Sequence, residues 1–417
     1  MHDIVVFGIT GDLAKKKLIP SLSRVASFKK IRVIGFGRKK LKQSEFASFL
    51  EEEARNSGHT FKNALEGFEA VYIHSELNDP MGFSKLQKKL RKEATIYMAL
   101  PPSMQLAVSK QLVNAGVVTS KNQVRIAFEK PFGSNTTEAA ELNTYLHKHM
   151  REDQILRVDH YAGKETLLDL ESSGRIGIFS YVASYGKIKE LTIRFEEKIS
   201  ADMRGSFYDS VGALSDVAQN HMIHMLTTFI AAHAESCIYT SKENTCLIST
   251  SATSSLKQIR SLIASSLEVV GKPVLGQYIG FKNISGVSPS SKTETYAQFS
   301  VRLKKKDVKV MGSEINESMK HIYKIFGNTK ISFSLGKNMP TNDVSIETVS
   351  SHSYKLMINR NCGTDAYDEI FTALIEKNFN RFVSFEQIQA GWRIVEEVKR
   401  RAKGKIVEYS VGTKPRA

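Results

Sequence analysis

Residues 3–14 read DIVVFGITGDLA, a short apolar run that is followed by Gly8 and Gly11 and then by a helix-like stretch to about Phe28. Glycines between a first strand and a first helix let backbone N–H groups and the helix N-terminus approach a pyrophosphate. Val6 occupies the position of the usual first glycine in GxGxxG, so a tight turn without a ligand is the alternative interpretation. The position between strand and helix favours dinucleotide binding.

Strand-like runs recur after this segment at intervals that leave room for helices. They are Ile31–Phe36, Ala70–Ile73, Thr95–Leu100 and Val124–Phe128. Helix-length stretches such as Pro80–Arg91 and Ser103–Ala115 separate them. Strands that alternate with helices predict a doubly wound parallel sheet. We therefore predict an α/β, Rossmann-like dinucleotide-binding domain over residues 1–158.

The pattern changes after this domain, where β-rich segments no longer alternate regularly with helices. These segments are Leu191–Phe195, Val274–Phe281, Tyr296–Leu303 and Ile331–Leu335. Longer helix-like stretches, including Val211–Ala232 and Phe385–Ala402, lie between or after them. The pattern predicts a C-terminal α+β domain with a large, mainly antiparallel sheet over residues 159–417.

The charge and cysteine content narrow the classes of partner. The 417 residues include 59 Lys plus Arg and 43 Asp plus Glu, which gives a formal net charge of +16 at pH 7. The basic residues lie in short groups without interleaved aromatics, so we expect no nucleic-acid partner, whereas phosphorylated small molecules stay open as ligands. The three cysteines form no CxxC pair, and no apolar run approaches the ~20 residues of a membrane span. We therefore expect no metal site and no membrane contact. Because no leader-like segment follows Met1, we also expect a cytoplasmic protein.

The turn after the second predicted strand, Gly35–Lys40, indicates which dinucleotide is bound. NAD enzymes usually place Asp or Glu here, where it binds the ribose 2′-hydroxyl, but this chain has Arg38 and Lys39. A guanidinium forms charge-assisted hydrogen bonds with a 2′-phosphate. The turn therefore favours NADP as the cofactor, and a solvated basic turn is the alternative.

Two further motifs carry side chains suited to binding a phosphorylated substrate. Lys130, in Glu129–Gly133 (EKPFG), follows the fifth predicted strand at the carboxyl edge of the sheet, where ligands of open α/β sheets bind. Its ammonium can donate to a substrate hydroxyl and to the nicotinamide carboxamide. The stretch Asp159–Glu165 then groups three side chains suited to binding phosphate, His160, Tyr161 and Lys164.

A histidine in the second domain is the candidate general base. Asp216 and Asn220 are one helical turn apart, and His221 lies beside them on the same helix-like stretch. A histidine can accept a proton near neutral pH, and a carboxylate can orient its ring. From this stretch alone, a buried structural histidine is the stronger interpretation. His221 and His224 lack an acidic third ligand in a zincin pattern, which argues against a metal site.

Together, these motifs resemble the glucose-6-phosphate dehydrogenase family over most of the chain. The stretches that carry the resemblance are residues 5–8 and 11–14, Ala99–Pro102, Arg125 and Ile126 with Glu129–Gly133, Arg151–Ile155, Arg157–Glu165, Gln219–His221, Leu275–Tyr278 and Ala390–Arg393. They follow the family's order, and several long motifs in one order outweigh any single motif. The resemblance therefore favours a catalytic over a structural role for His221.

The resemblance implies the oxidation of D-glucose 6-phosphate at C1 to the 6-phospholactone, the first step of the oxidative pentose phosphate pathway. It implies that His221 takes the C1 hydroxyl proton and that Asp159 orients His221. The implied substrate contacts are His160, Tyr161 and Lys164 for the phosphate and Lys130 and Asp216 for the sugar, with Glu197 and Lys337 as additions. The implied NADP contacts are Gly8, Gly11, Asp12, Leu13, Arg38 and Lys130. The family also implies a homodimer or homotetramer, with oligomer contacts in the C-terminal domain.

The chain departs from the family pattern in its second half. Residues 304–326 do not align well, and Asn342 stands near the position of a second basic sugar contact. A related NAD(P)-dependent sugar dehydrogenase, which acts on a different sugar and shares the Glu-Lys-Pro motif, is the alternative function; the phosphate-binding side chains argue against it. A catalytically inert NADP-binding regulator would be expected to lack His221 or Asp159, and both are present.

Overall fold

The computed structural model describes residues 1–58, 68–171, 188–240, 252–304, 313–349, 353–358 and 365–415. The chain divides into two compact units, each with its own sheet. The first unit comprises Met1–Gly163 and Asn361–Val383, and the second comprises Lys164–Arg360 and Ser384–Ala417.

Strands and helices are numbered here in chain order within the described ranges. The strands are β1 (His2–Phe7), β2 (Ile31–Gly37), β3 (Phe68–His74), β4 (Glu93–Met98), β5 (Gln123–Phe128), β6 (Ile155–Arg157), β7 (Glu190–Glu196), β8 (Leu267–Tyr278), β9 (Tyr296–Leu303), β10 (Lys330–Gly336), β11 (Asp343–Val349), β12 (Ser353–Met357) and β13 (Val407–Tyr409). The helices are α1 (Ile19–Ala26), α2 (Gln43–Asn56), α3 (Pro80–Lys89), α4 (Pro102–Asn114), α5 (Thr136–His149), α6 (Glu165–Glu171), α7 (Gly205–Ala213), α8 (Ile223–Thr240), α9 (Ala252–Ser266), α10 (Ser313–Phe326), α11 (Ala366–Glu376) and α12 (Phe385–Ala402). Two π-helical segments, Ala14–Leu18 and Leu214–Met222, lead directly into α1 and α8.

The first sheet is parallel, and its strand order among the described residues is β3-β2-β1-β4-β5-β6. Every residue of β1 is buried, and Val5 lies opposite Ile34 of β2 and Ile96 of β4. Parallel strands that are covered on both faces are near-continuous apolar runs, which is the pattern that the sequence shows. From β1 the strands run outward in one direction to β3 and in the other direction to β6, so the topological switch point lies between β1 and β4. This strand order confirms the predicted Rossmann-like fold.

Short polar side chains fix where helices of this unit begin. Asp79 accepts a hydrogen bond from the Met81 N–H at 3.0 Å at the start of α3. Asn135 accepts one from the Glu138 N–H at 2.9 Å at the start of α5. Such caps satisfy N–H groups that have no partner inside the helix. The loops that join β3 to α3 and β5 to α5, at the carboxyl edge of the sheet, therefore have defined ends.

The chain returns to the first unit with α11. This helix buries Ile370, Phe371 and Leu374 in the core of the first unit. The observed division therefore differs from the predicted boundary after residue 158. The first unit continues to Gly163 and includes residues 361–383, because the apolar face of α11 completes its core.

The second sheet is mixed and mostly antiparallel, as predicted, with the order β12-β11-β7-β10-β9-β8-β13 in the described part of the chain. Its parallel pairs there are β7–β10 and β8–β13. β8 begins at Leu267, earlier than the predicted Val274, because a β-bulge between Val270 and Val274 interrupts the ladder without ending the strand. Gly271 supplies the left-handed φ of +68° within this bulge.

Helix α12 crosses the π-helical segment Leu214–Met222 at very short range. A Cβ atom on Gly391 would lie 2.0 Å from the carbonyl oxygen of Gln219, so only glycine lets the two backbones approach this closely. Ser384 caps α12 by accepting a hydrogen bond from the Gln387 N–H at 3.2 Å. The predicted helix is confirmed with the same bounds.

The poorly aligning segment 304–326 is in part a helix. Residues 305–312 lie outside the described residues, and the remainder contains α10, which buries Met319, Ile322 and Phe326. Across the described ranges, no helix combines the length and the apolar composition that crossing a membrane requires.

Candidate functional site

The turn after β1 keeps its backbone open at the carboxyl edge of the first sheet. Gly8 has a left-handed φ of +78°, and a Cβ atom here would lie 2.5 Å from the carbonyl oxygen of Ala99. The Gly11 N–H donates to the Gly8 carbonyl at 2.9 Å, and the helical backbone starts at exposed Asp12 and half-buried Leu13. Glycine is therefore required at position 8. The turn lies at the switch point where dinucleotides bind in this fold, and it fits a pyrophosphate.

Basic side chains follow the end of β2. Arg38 is exposed and, in the part of the chain that the structure describes, has no ion-pair partner. Lys39 and Lys15 both hold Nζ over the ring of Phe49, at 6.0 and 5.6 Å from its centroid. Lys15 also pairs with Glu53 at 3.1 Å. An exposed guanidinium beside ammonium groups fits a phosphate monoester better than a ribose hydroxyl.

The carboxyl group of Glu129, the residue before Lys130, is held by three hydrogen bonds. Its Oε1 accepts hydrogen bonds from the hydroxyls of Tyr97, at 2.5 Å, and Tyr367, at 3.1 Å, and its Oε2 accepts one from the Lys130 N–H at 3.1 Å. Burial raises the pKa of Glu129, and these hydrogen bonds oppose that shift. Burial and the Glu129 charge raise the pKa of both tyrosines well above the usual range, so both remain donors.

A buried glutamine holds the same loop from the other side. Gln105, on α4, donates from Nε2 to the carbonyl oxygens of Glu129 and Pro131, each at 3.1 Å. Its Oε1 accepts a hydrogen bond from the Gly133 N–H at 3.1 Å. Three backbone groups around Lys130 are thereby fixed by one side chain. Sequence reasoning missed Gln105, because a glutamine within a helix carries no signal of its target.

Asp159 and His160 follow β6 at the same edge of the first sheet. Asp159 is 1% exposed, and its Oδ1 accepts a hydrogen bond from the Tyr161 N–H at 2.9 Å. The ring of half-buried His160 stacks on that of Tyr367, with centroids 5.6 Å apart and planes 12° apart. The turn that carries these residues ends at Gly163, where a Cβ atom would lie 2.1 Å from the carbonyl oxygen of Ala366. The start of α11 therefore packs directly on the His160 turn.

The predicted phosphate-binding residues fall in both units. His160 and Tyr161 belong to the first unit, and Lys164 is the first residue of the second. The carbonyl oxygen of Lys164 accepts hydrogen bonds from the N–H groups of Leu167, at 2.9 Å, and Leu168, at 3.0 Å. Lys164 therefore begins the first turn of α6, and its side chain is half-buried.

His221 lies in the π-helical segment of the second unit and is 2% exposed. Its ring stacks on that of Phe195 from β7, with centroids 6.3 Å apart and planes 15° apart. The Asn220 Oδ1 accepts a hydrogen bond from the His221 N–H at 2.6 Å. The hydrogen bonds of a π-helix join residues that are five apart in the chain, so His221 lies about one turn after buried Asp216. The sequence predicted a helix over this stretch but not its π-helical form.

The start of this π-helical segment is held by a buried carboxylate. The Leu214 N–H donates to the Glu294 Oε1 at 3.1 Å, and the Ala213 N–H donates to the Glu294 carbonyl at 3.0 Å. Burial raises the pKa of Glu294. Gly212 has a φ of +71°, and a Cβ atom there would lie 2.5 Å from the same Oε1.

Glu197 and Lys337 form an ion pair where two parallel strands end. β7 and β10 are neighbours with Glu196 opposite Gly336, so the next residue of each strand emerges at the same edge. The Lys337 Nζ also lies 5.8 Å from the ring centroid of Tyr208. Burial and then the charge of Asp216 raise the pKa of Tyr208 well above its usual range. The structure therefore brings three predicted sugar contacts, Asp216, Glu197 and Lys337, around Tyr208, a tyrosine to which the sequence assigns no role.

Asn342 holds the loop after β7. Its Oδ1 accepts a hydrogen bond from the Lys198 N–H at 2.8 Å, and the residue is exposed. The carboxamide oxygen therefore has a structural partner. This contact explains an asparagine at this position without a role in sugar binding.

Comparisons with known proteins match the chain almost from end to end. The family described as "Glucose-6-phosphate dehydrogenase, NAD binding domain" matches residues 5–169, and "Glucose-6-phosphate dehydrogenase, C-terminal domain" matches residues 177–311. The glucose-6-phosphate 1-dehydrogenase of Borreliella burgdorferi is 28% identical, over 99% of this chain and 94% of its own length.

Solved structures agree with the fold. The crystal structure of glucose-6-phosphate 1-dehydrogenase from Mycobacterium avium has a TM-score of 0.79 at 22% identity and covers 100% of this chain and 95% of its own. A glucose-6-phosphate dehydrogenase in complex with its substrate glucose-6-phosphate has a TM-score of 0.77 at 20% identity, with the same coverage.

Proposed function

Because the two domain matches place the chain in the glucose-6-phosphate dehydrogenase family, we propose that it oxidises D-glucose 6-phosphate at C1 to 6-phospho-D-glucono-1,5-lactone with NADP. The observation that carries the proposal is the open Gly8 turn at the switch point, followed by exposed Arg38 where NAD enzymes have an acid. When bound, NADP accepts a hydride at C4 of its nicotinamide ring.

The first unit supplies the cofactor contacts. The backbone of Gly8, Gly11, Asp12 and Leu13 lies against the pyrophosphate, since no side chain at position 8 can block it. Arg38 binds the 2′-phosphate through charge-assisted hydrogen bonds. Lys130 contacts both the nicotinamide carboxamide and the sugar, and the hydrogen bonds of Glu129 hold its backbone in place.

His221 is the general base, and its imidazole removes the proton of the C1 hydroxyl as hydride leaves C1. Stacking on Phe195 holds the ring plane, and burial keeps bulk water away from it. Asp159 orients the imidazole and stabilises the imidazolium that forms. A positioned base of this kind contributes roughly 10²–10⁴-fold in rate.

Six side chains bind the rest of the substrate. The phosphate contacts are His160, Tyr161 and Lys164, which offer neutral and charged donors to a dianion. The sugar contacts in the second unit are Asp216, Glu197 and Lys337, supported by the grouping of these three around one buried tyrosine. The protein acts as a homodimer or homotetramer, as its family resemblance implies, and in the cytoplasm, which its few cysteines favour.

A spectrophotometric assay of reduced-nucleotide formation tests the proposed activity. Glucose 6-phosphate, glucose and 6-phosphogluconate are each paired with NADP and with NAD. We expect turnover with glucose 6-phosphate and NADP to exceed every other combination. Equal turnover of glucose and its 6-phosphate would reject the proposed substrate.

Lys164→Ala tests the phosphate assignment. Loss of a charged hydrogen bond costs about 1.5–3 kcal/mol, so KM for glucose 6-phosphate should rise about 10- to 150-fold while KM for NADP stays unchanged. Lys282→Ala, which removes an exposed lysine of the same unit, is the matched control. If KM for glucose 6-phosphate and for plain glucose rise equally in Lys164→Ala, the phosphate contact is wrong.

A further inference from the structure

We propose that Tyr367 is a positioning residue for the proposed reaction, whose hydroxyl holds Glu129 beside Lys130 and whose ring holds the His160 imidazole. The inference rests on the proposed function, because it takes His160 as a phosphate contact and Lys130 as a contact to cofactor and sugar. Tyr367 lies on α11, about 200 residues after His160 in the chain.

The hydroxyl contact places Tyr367 one step from Lys130. Tyr367 is 5% exposed and donates to the Glu129 Oε1 at 3.1 Å, while the other oxygen of that carboxylate accepts the Lys130 N–H. A buried carboxylate keeps a fixed orientation only while its oxygens are hydrogen-bonded. Tyr367 therefore acts on Lys130 through Glu129.

The ring contact places the same side chain against the phosphate site. The Tyr367 and His160 rings are nearly parallel, with 5.6 Å between centroids. The backbone sets this distance, because Gly163 and Ala366 approach so closely that a Cβ on Gly163 would lie 2.1 Å from the Ala366 carbonyl. The Asp365 Oδ1 also accepts the Tyr367 N–H at 3.1 Å. One side chain thus connects the Lys130 loop with the His160 turn at a fixed separation.

Variants of Tyr97 and Tyr367 separate the hydroxyl contact with Glu129 from the ring contact with His160. The Tyr97 hydroxyl donates to the same Glu129 oxygen, at 2.5 Å, but the Tyr97 ring packs on Phe371, with centroids 5.3 Å apart. Tyr97→Phe and Tyr367→Phe each remove one donor to Glu129 and keep an aromatic ring. Tyr367→Leu also removes the ring from His160, so the difference between the two Tyr367 variants reports the ring alone.

The experiment measures kcat and the KM values for glucose 6-phosphate and NADP, together with thermal unfolding. Loss of an aromatic contact corresponds to about a two- to tenfold effect, so KM for glucose 6-phosphate should be higher by that factor in Tyr367→Leu than in Tyr367→Phe. KM for NADP should be the same in these two variants. A structural role alone would lower the unfolding temperature of Tyr367→Leu without this split between the two KM values.

A double-variant comparison identifies His160 as the route of the ring effect. His160→Ala raises KM for glucose 6-phosphate. In that background, Tyr367→Leu and Tyr367→Phe should give the same KM, because the ring then has no imidazole to hold and both variants lack the hydroxyl. Tyr367→Phe and Tyr97→Phe should change kcat in the same direction.

Three results would overturn the proposal. One is an equal KM for glucose 6-phosphate in Tyr367→Leu and Tyr367→Phe. Another is a difference between these two variants that persists in the His160→Ala background. If Tyr367→Leu is insoluble, the unbranched Tyr367→Met takes its place under the same criterion. Failure of the wild-type protein to oxidise glucose 6-phosphate is the third result; it would reject the proposed function as well, whereas the first two in an active enzyme reject the positioning role alone.

Discussion

Gly391→Ala should lower both stability and turnover, although helix propensity alone favours the opposite. In the interior of a helix, alanine is about 1 kcal/mol more favourable than glycine. Here, however, the new Cβ would lie 2.0 Å from the carbonyl oxygen of Gln219 and 2.9 Å from its carbonyl carbon. Neither atom can rotate away, because both belong to the backbone of the π-helical segment.

The required displacement sets the expected magnitude. Cβ atoms essentially never approach other heavy atoms closer than 3.0 Å, so α12 and the π-helical segment must separate by about 1 Å. Overpacking of this kind costs about 1–3 kcal/mol, which offsets the gain in helix propensity and leaves a net loss of up to about 2 kcal/mol. Gln219 lies two residues before His221, and a displacement of ~1 Å at a reacting group can reduce the rate on the order of 10²-fold.

The assay combines urea unfolding with steady-state kinetics. We expect Gly391→Ala to reduce the free energy of unfolding and to reduce kcat, with KM for NADP close to the wild-type value. Gln389→Ala, an exposed position on the same helix, makes a favourable change in helix propensity without the contact and should retain full kcat. A Gly391→Ala protein that is more stable than wild type and equally active would refute the reasoning.

Three further predictions follow from residues of both units. Arg38→Ala should raise KM for NADP and leave KM for NAD unchanged, because only NADP carries a 2′-phosphate; parallel losses would show that Arg38 supports the fold instead. His221→Asn should lower kcat by roughly 10²–10⁴-fold with little change in KM for glucose 6-phosphate, and near-normal turnover would mean that another group is the base. His2 should make the stability of the fold sensitive to acid. Burial lowers the pKa of His2 from 6.5 to about 4. Between these pH values, the imidazole binds a proton in the unfolded chain but not in the folded chain. The free energy of unfolding should therefore fall by about 3 kcal/mol between pH 6.5 and pH 4 because of this group. Urea unfolding near both pH values should show a smaller fall for His2→Gln than for the wild type. An identical fall in both proteins would contradict this role of His2.

The parallel sheet was predictable because most residues of its strands are apolar. β1, β2, β4 and β5 are buried along most of their length, so their sequences contain few polar residues and their positions could be identified. The glycine turn and Arg38 were identifiable for a related reason, since both are tied to fixed positions after such strands.

Residues that act through tertiary contacts were not predictable. Tyr97 occurs in an apolar segment that resembles ordinary core, and Tyr367 lies between acidic residues at the start of a helix. Their shared target, Glu129, is far from both in the chain. Gln105 is likewise identified only by the backbone groups that it holds. The placement of α11 depends on which core accepts its apolar face, and periodicity reports that a face is apolar without reporting its partner.

The interrupted path of the first unit matters during synthesis. A ribosome that adds about 5–20 residues per second needs on the order of 10–40 s to translate the roughly 200 residues between Gly163 and Asn361. Throughout that interval, the nascent first unit lacks Ile370, Phe371 and Leu374, and the apolar surface that they will cover stays exposed to chaperones and to other nascent chains. The loop that carries Lys130 gains its contact with Tyr367 only after this delay, so the cofactor-binding unit, although first to leave the ribosome, is completed by one of the last helices to emerge.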